Sequence, residues 1–227
     1  MRPDDEFFLT FATRTPGARV LDLGCGTGRL SLAISGKGCS VVGIDPDLPS
    51  LAAARAQPHA DHVSWVAGDS RALETTERFD AAIMTSNVVQ EILDDTELAR
   101  SFADIAAHLV GGGRLAFDAR DPRARGWEAW TKARSSKVVH LPDGDSQHWY
   151  QTTRVDEQTG MVDFSSHEVT VDGVEHISRG PIRFRSEDQL RAMVAGAGLA
   201  IDDVWGGFRG EAVGDGVGSL VFTAHRP

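Results

Sequence analysis

Apolar residues in the first half of the chain follow two alternating patterns. Short apolar runs at Arg19 to Leu23, Ser40 to Ile44, Val63 to Ala67, Phe79 to Thr85 and Gly113 to Asp118 read as strands. Stretches with helical spacing lie between them. The clearest runs from Asp94 to Leu109, where Leu98, Phe102, Ile105 and Leu109 share one face and the triplet Gly111 to Gly113 predicts the helix end. Strands alternating with helices predict a doubly wound α/β fold with a mostly parallel sheet. Asp121 followed by Pro122 has the chemistry of an N-cap and first helical position, and so predicts another helix, carrying Trp127 and Trp130.

After Lys137 the rhythm changes. From His148 to Arg185 β-branched, aromatic and polar residues are punctuated by Gln158-Thr159-Gly160, Asp172-Gly173 and Arg179-Gly180-Pro181, which predicts short antiparallel strands. Residues 138–185 are therefore expected to form a β cap inserted after the fifth strand. The alternative role for such edge strands is a homodimer interface. Ser186 to Gln189 forms a capping box before a helix whose apolar face is Leu190, Met193, Val194 and Ala197, with Gly198 as its stop. Two closing strands, near Leu199 to Trp205 and Ser219 to His225, are joined by the glycine-rich loop Gly206 to Gly218. No internal repeat divides the chain, so residues 1–227 are expected to form a single domain.

Composition narrows the function classes. The chain has 227 residues, 23 Lys plus Arg and 33 Asp plus Glu, a formal net charge of -10 that disfavours a nucleic-acid partner. It has no apolar run of the roughly 18 residues a membrane span needs, and MRPDDEFF lacks the order of a signal peptide, so a soluble cytoplasmic protein without a membrane partner is expected. Cys25 and Cys39 have neither zinc-site nor disulfide-framework spacing, and the eight histidines are irregularly spaced, so no metal is expected.

The stretch VLDLGCGTGRL, Val20 to Leu30, carries the chemistry. A strand running through Gly24, Cys25, Gly26, Thr27 and Gly28 into a helix places bare backbone at the carboxyl edge of the sheet, where such sheets bind ligands. A dinucleotide fingerprint would require glycine or alanine at the sixth position, where this chain has Arg29. Asp45 ends the second strand, 21 positions after Gly24, where a carboxylate can accept from ribose hydroxyls, and Asp69 ends the third, where it can face an adenine edge.

With Asp22, these acids form a series at consecutive strand ends that resembles the class I S-adenosylmethionine-dependent methyltransferases. The resemblance implies a Rossmann-like methyltransferase fold, seven-stranded and mostly parallel with the last strand antiparallel, and S-adenosylmethionine as cofactor. It implies that Asp22, Gly24, Cys25, Gly26 and Gly28 wrap the methionine part, that Asp45 with Pro46 holds the ribose, and that Asp69 with Ser70 lies beside the adenine. FDAAIMTSNVVQEI, Phe79 to Ile92, resembles the fourth-strand motif, with Ser86 on the cofactor and Asn87 between cofactor and substrate. Family members usually carry longer covering helices before the first strand. Here residues 1–18, with Phe7, Phe8 and Phe11, are expected to form one short N-terminal lid.

The expected reaction is methyl transfer to N or O of a small molecule. The catalytic candidates are Asn87 and His167, and the substrate-binding candidates are Asn87, Arg120, Arg123 and Tyr150. The two arginines come from a basic segment after the fifth strand, suited to an anionic acceptor. Three alternatives remain at this level: a methyltransferase acting on protein or nucleic acid, a noncatalytic adenosylmethionine-binding protein, and an NAD-dependent oxidoreductase, which would keep Asp45 but conflicts with Arg29.

Overall fold

A computed structural model describes residues 2–74, 76–141 and 144–227. In chain order the first part contains α1 (Pro3–Ala12), β1 (Arg19–Leu23), α2 (Arg29–Ser35), β2 (Ser40–Asp45), α3 (Leu48–Arg55), β3 (Val63–Ala67), β4 (Phe79–Met84), α4 (Val88–Glu91), α5 (Asp95–His108) and β5 (Leu109–Arg120). There follow α6 (Lys132–Ser135), β6 (Lys137–Leu141), β7 (Gly144–Asp156), β8 (Met161–Val169), β9 (Glu175–Arg183), α7 (Glu187–Gly196), β10 (Ala200–Trp205) and β11 (Ser219–His225).

Seven strands form one sheet in the order β10-β11-β5-β4-β1-β2-β3. All neighbours in the β5-β4-β1-β2-β3 part pair in parallel, and β11 enters antiparallel between β5 and β10. The doubly wound sheet with an antiparallel last strand is thus present. Side-chain alternation divides its two faces. Leu115, Phe117 and Ala119 of β5 pack with Phe102 and Ile105 of α5 and Leu190 and Val194 of α7, while Ala116 packs on the other face with Phe8 and Ala12 of α1 and Ile34 of α2. Phe117 stacks on Phe222 at 4.7 Å between ring centres. Complete burial of each such side chain stabilises the fold by roughly 2 kcal/mol.

Local signals set the helix ends. Asp94 caps α5 by accepting from the N–H groups of Thr96 and Glu97, and Ser186 with Gln189 closes the expected capping box of α7. Two sequence expectations are corrected. The Gly111–Gly113 triplet does not follow the helix as a stop: α5 ends at His108 and the triplet lies inside β5, where Gly112 N–H donates to Arg226 O and Arg226 N–H to Gly113 O, each at 2.8 Å. Asp121 does cap, accepting from Arg123 N–H at 2.9 Å, but Pro122 opens only a single 3-10 turn. Arg125, at φ 48°, breaks the chain there, and Trp127 sits in a second 3-10 turn, Gly126–Ala129.

The segment after β5 forms a four-stranded antiparallel sheet in the order β6-β7-β8-β9, beginning at Lys137 with a strand earlier than the sequence pattern suggested. Trp127, Val162, Ile182 and Phe184 make its own small core. Two arginines near the end of this sheet reach into the first. Arg185, 2 % exposed, donates to the carbonyls of Val89, Ile92 and Leu93 and to Asp95 Oδ1. Arg183 donates to Leu93 O at 2.9 Å and Asp95 Oδ2 at 2.7 Å. The loop between α4 and α5 is held by this clamp. Arg185→Ala leaves three carbonyls and a carboxylate short of a donor, and is expected to cost about 3 kcal/mol, or roughly 6–12 °C in melting temperature. A melt shifted by less than a degree or two would show that the clamp contributes little.

Candidate functional site

The carboxyl ends of β1, β2, β4 and β5 bring most of the sequence-selected residues to one edge. At the turn after β1, Gly24, Gly26 and Gly28 all have positive φ, of 80°, 53° and 78°. Close packing excludes a side chain at two of them. A Cβ on Gly24 would meet Val88 of α4 at 2.4 Å, and one on Gly28 would meet the Trp65 ring at 2.3 Å. Gly26 instead has nothing within 4 Å of its Cβ direction, so its backbone is open to a ligand. Cys25 is half-buried between them, and burial, with the charges of Asp22 and Asp45, pushes its thiol pKa up, away from nucleophilic use.

Asp45 is 8 % exposed and is aimed by the turn itself: Oδ2 accepts from Gly26 N–H at 2.7 Å and Oδ1 from Asp47 N–H at 2.8 Å. Each oxygen keeps a lone pair for a further donor. Pro46 and Asp47 lead into α3, whose first residue, Leu48, is 62 % exposed. Leu48 was not among the sequence-selected residues; its signal was an apolar residue just after a strand-end acid. Asp22 is 1 % exposed. Ser31 Oγ donates to Oδ2 at 2.5 Å, while Oδ1 has no partner among the described residues. Burial raises its pKa to about 6, against the Ser31 hydrogen bond.

At the end of β3 the arrangement is less open. Asp69 is paired with Arg71, whose Nε lies 3.0 Å from Oδ1, and the Arg71 contact is the main cause of its lowered pKa. The Ser70 side chain does not face this edge: 1 % exposed, it donates to Asp104 Oδ2 at 2.6 Å and accepts from Arg100 under α5. Of this pair, only the Asp69 carboxylate is near the surface.

After β4 the chain makes an unusual turn. Ser86 and Asn87 are consecutive non-glycine residues at φ 59° and 65°. Each such position costs of order 1 kcal/mol or more, and such strain clusters at functional sites. The turn faces a residue that sequence reasoning assigned only to a strand end. Asp118 of β5 is 3 % exposed, and its Oδ1 has no partner among the described residues. Burial raises its pKa to about 7, opposed by the Asn87 and Ser86 N–H groups and by Arg120, and reinforced by Asp4 of α1. Nearby, Gln90 Oε1 accepts from the Arg120 backbone N–H and from its Nη1, both at 3.1 Å, but the buried Gln90 Nε2 is unpartnered.

The acceptor-side candidates separate. Arg120 is half-buried, with its guanidinium 5.3 Å from the centre of the Trp130 ring and its pKa lowered by burial. Tyr150 lies on the same side, 6.3 Å from Trp130 between ring centres. Arg123 is exposed and engaged elsewhere, with Nη2 at 2.9 Å from Asp121 and 3.5 Å from Glu187. His167 points the other way. It is opposite Trp149 in the β7–β8 register, one residue from Tyr150, and so lies on the other face of that sheet. Its ring stacks on Trp149 at 4.7 Å, Nδ1 meets Glu175 at 2.8 Å and Nε2 meets Ser165 at 2.8 Å, so both nitrogens are occupied.

Helix α1 covers the face on which Asp22 and Asp118 lie. Its Phe8, Leu9 and Ala12 are buried, and its Asp5 is ion-paired with Arg29 at the start of α2. Beside it a separate groove of about 1440 Å³ runs along β10 and β11, lined by Phe7, Phe11, Arg114, Trp205 and Phe208, away from the glycine turn. No helix among the described residues is long and apolar enough to cross a membrane. Among the described residues no group of three or more His, Cys, Asp or Glu is placed to hold a metal ion.

Residues 20–113 match a family model described as a methyltransferase domain. Sequence relatives include a cypemycin N-terminal methyltransferase from a Streptomyces species, 37% identical over 106 residues covering 47% of this chain and 43% of the relative. Another is a ubiquinone biosynthesis O-methyltransferase from Bradyrhizobium sp. (strain ORS 278), 29% identical over 148 residues covering 63% and 55%. The chain spans about half the length of these curated relatives. Its fold is that of the CcbJ methyltransferase from Streptomyces caelestis, with a TM-score of 0.80 at 20% identity over 99% of this chain and 90% of the other. It also matches the S-adenosylmethionine-bound amino pentose methyltransferase CalS10 from Micromonospora echinaspora, with a TM-score of 0.71 at 23% identity over 100% and 92%.

Residues 20–113 thus match a methyltransferase domain, and the whole chain shares the fold of S-adenosylmethionine-dependent methyltransferases. The site's chemistry fits S-adenosylmethionine. Open backbone at Gly26, a carboxylate with a free oxygen at Asp22, and spare acceptor capacity at Asp45 suit a ligand carrying an ammonium group and a ribose.

Proposed function

We propose that this protein transfers a methyl group from S-adenosylmethionine to a nitrogen or oxygen of a small molecule. The observation that carries this reading is the pair of buried carboxylates, Asp22 and Asp118, each with an unpartnered oxygen, flanking the strained turn after β4. A buried acid without a partner is costly unless a ligand completes it. In this reading Asp22 receives the cofactor's ammonium group, Asp45 its ribose hydroxyls and Asp69 its adenine. Gly24, Cys25, Gly26 and Gly28 supply backbone, and Pro46, Leu48 and Ser86 line the same ligand.

When bound, the cofactor supplies an electrophilic methyl group, so the protein's task is to align the acceptor and manage its proton. Asp118 is the group placed to hold that proton: with a pKa of about 7 it can accept one near neutrality and release it again. Asn87 and Gln90 orient the acceptor, Gln90 through its free Nε2. Arg120, Trp130 and Tyr150 form the wall contributed from β5 and the inserted sheet. Arg123 and His167, already engaged by other side chains, are left out of this assignment.

Relatives named for both N- and O-methylation leave the acceptor atom open. Labelled methyl transfer into a metabolite extract, followed by mass identification of the heavier product, tests the reading. A melting shift with S-adenosylhomocysteine and none with NADH is expected beforehand. Transfer into no component of the extract, with the cofactor bound, would favour the noncatalytic alternative.

A further inference from the structure

The outer edge of the inserted sheet is built to pair with itself. Strand β9 has β8 on one side and, among the described residues, no strand on the other. The phase of its backbone is fixed at both ends: Thr170 N–H donates to Val174 O at 3.0 Å, and Phe184 N–H to Gly160 O at 2.8 Å. The register between these points, from Val169↔Glu175 to Met161↔Arg183, has no shift. In an antiparallel ladder hydrogen-bonded and non-hydrogen-bonded pairs alternate. The even-numbered residues of β9 therefore bond β8, and the backbone donors and acceptors of Glu175, Ile177 and Arg179 point outward. Pro181, which has no N–H, falls in the outward set and leaves the inner ladder intact.

This outward row is exposed throughout from Glu175 to Arg179, with Ile177 at 39%. Among the described residues Arg179 has no ion-pair partner. Glu175 is held on its face of the strand by His167 Nδ1 at 2.8 Å.

We propose that β9 pairs antiparallel with β9 of a second copy of this chain about a two-fold axis at Ile177, joining two four-stranded sheets into one. In that register Ile177 faces its own counterpart and Glu175 faces Arg179 twice, so that opposite charges meet across the strands and every outward group of the three residues finds a partner. Val174 falls opposite Gly180, whose bare backbone leaves room for it. Pro181, opposite Gly173, ends the ladder. The neighbouring registers are worse: an axis at Glu175 or Arg179 sets like charges against each other, and one at His176 or Ser178 sets a charge against Ile177. The inference stands independently of the methyl-transfer reading, since it uses no residue of that site.

Sedimentation and light scattering across a concentration series test it. The wild-type protein is expected to approach twice its 24.4 kDa mass, Arg179→Glu to stay at the single mass, and the swap Glu175→Arg with Arg179→Glu to recover the doubled mass. Ile177→Cys adds a check on register. The Cα atoms of a directly opposed hydrogen-bonded pair lie about 5.5 Å apart, within disulfide reach, so mild oxidation should cross-link this variant and not the wild type, whose Cys39 is buried and whose Cys25 is half-buried in the glycine turn, away from β9. A wild-type monomer at high concentration would overturn the proposal, as would an Arg179→Glu variant that still dimerises. A dimer in which Ile177→Cys fails to cross-link would overturn the register.

Discussion

Asp118→Asn is expected to lower methyl transfer by about 100-fold or more while raising the melting temperature of the ligand-free protein at pH 8. The two effects share one cause. Burial lifts the Asp118 pKa from 3.8 to about 7. Well below pH 3.8 the carboxyl is neutral in both folded and unfolded chains and carries no penalty. As pH rises the unfolded chain ionises first, so stability falls until the folded group ionises too, and above about pH 7 the penalty is complete. A shift of this size corresponds to on the order of 4 kcal/mol. Asparagine, which stays neutral, should recover part of that, roughly 4–12 °C at pH 8, with the gain shrinking as pH falls toward 4. Asp22, raised to about 6, contributes in the same direction. The charges that bear on Asp118 are Arg120 on its own strand and Asp4 and Arg2 from the N-terminal segment, so the melts belong at fixed ionic strength. Unchanged turnover would remove Asp118 from the mechanism, and an unchanged melt at pH 8 would show that the carboxylate is adequately solvated.

Asp45→Ala should weaken S-adenosylmethionine binding by about 100-fold. Two hydrogen bonds from ribose hydroxyls to an ionised carboxylate contribute about 3 kcal/mol together, and each 1.4 kcal/mol is a factor of ten. The substitution also removes the acceptor of the Gly26 and Asp47 N–H groups, so the glycine turn loses its tether to β2. The cofactor-induced melting shift should then vanish at concentrations that shift the wild type. Calorimetric titration settles the matter directly: a dissociation constant within about threefold of wild type would show that the ribose is held elsewhere.

The strands of the first half and the ends of α5 and α7 were legible because their signals are local: an apolar run, Asp94 before a helical stripe, Ser186 three residues before Gln189. The glycine turn and Asp45 were legible for the same reason. The Gly111–Gly113 triplet misled because its partner, Arg226, lies at the far end of the chain, and only that pairing draws the glycines into β5. Asp118 could be seen as a strand end, but its importance depends on what buries it: a turn at Ser86 and Asn87, and a helix more than a hundred residues upstream. His167 shows the converse. Its residue type suggested chemistry, but one step of register decides which face of a strand it occupies, and that step was not readable without its partners Glu175 and Ser165.

Arg29 has a consequence for redesign. Replacing it with glycine would complete the spacing of a dinucleotide fingerprint, and on sequence grounds alone that is the natural first move toward a nicotinamide cofactor. The same guanidinium holds Asp5, and through it the helix that covers the site. The mutation that relaxes the glycine turn would therefore loosen its cover in the same step. Cofactor exchange in this scaffold is a problem of two coupled segments, and a new anchor for α1 has to be in place before the loop is altered.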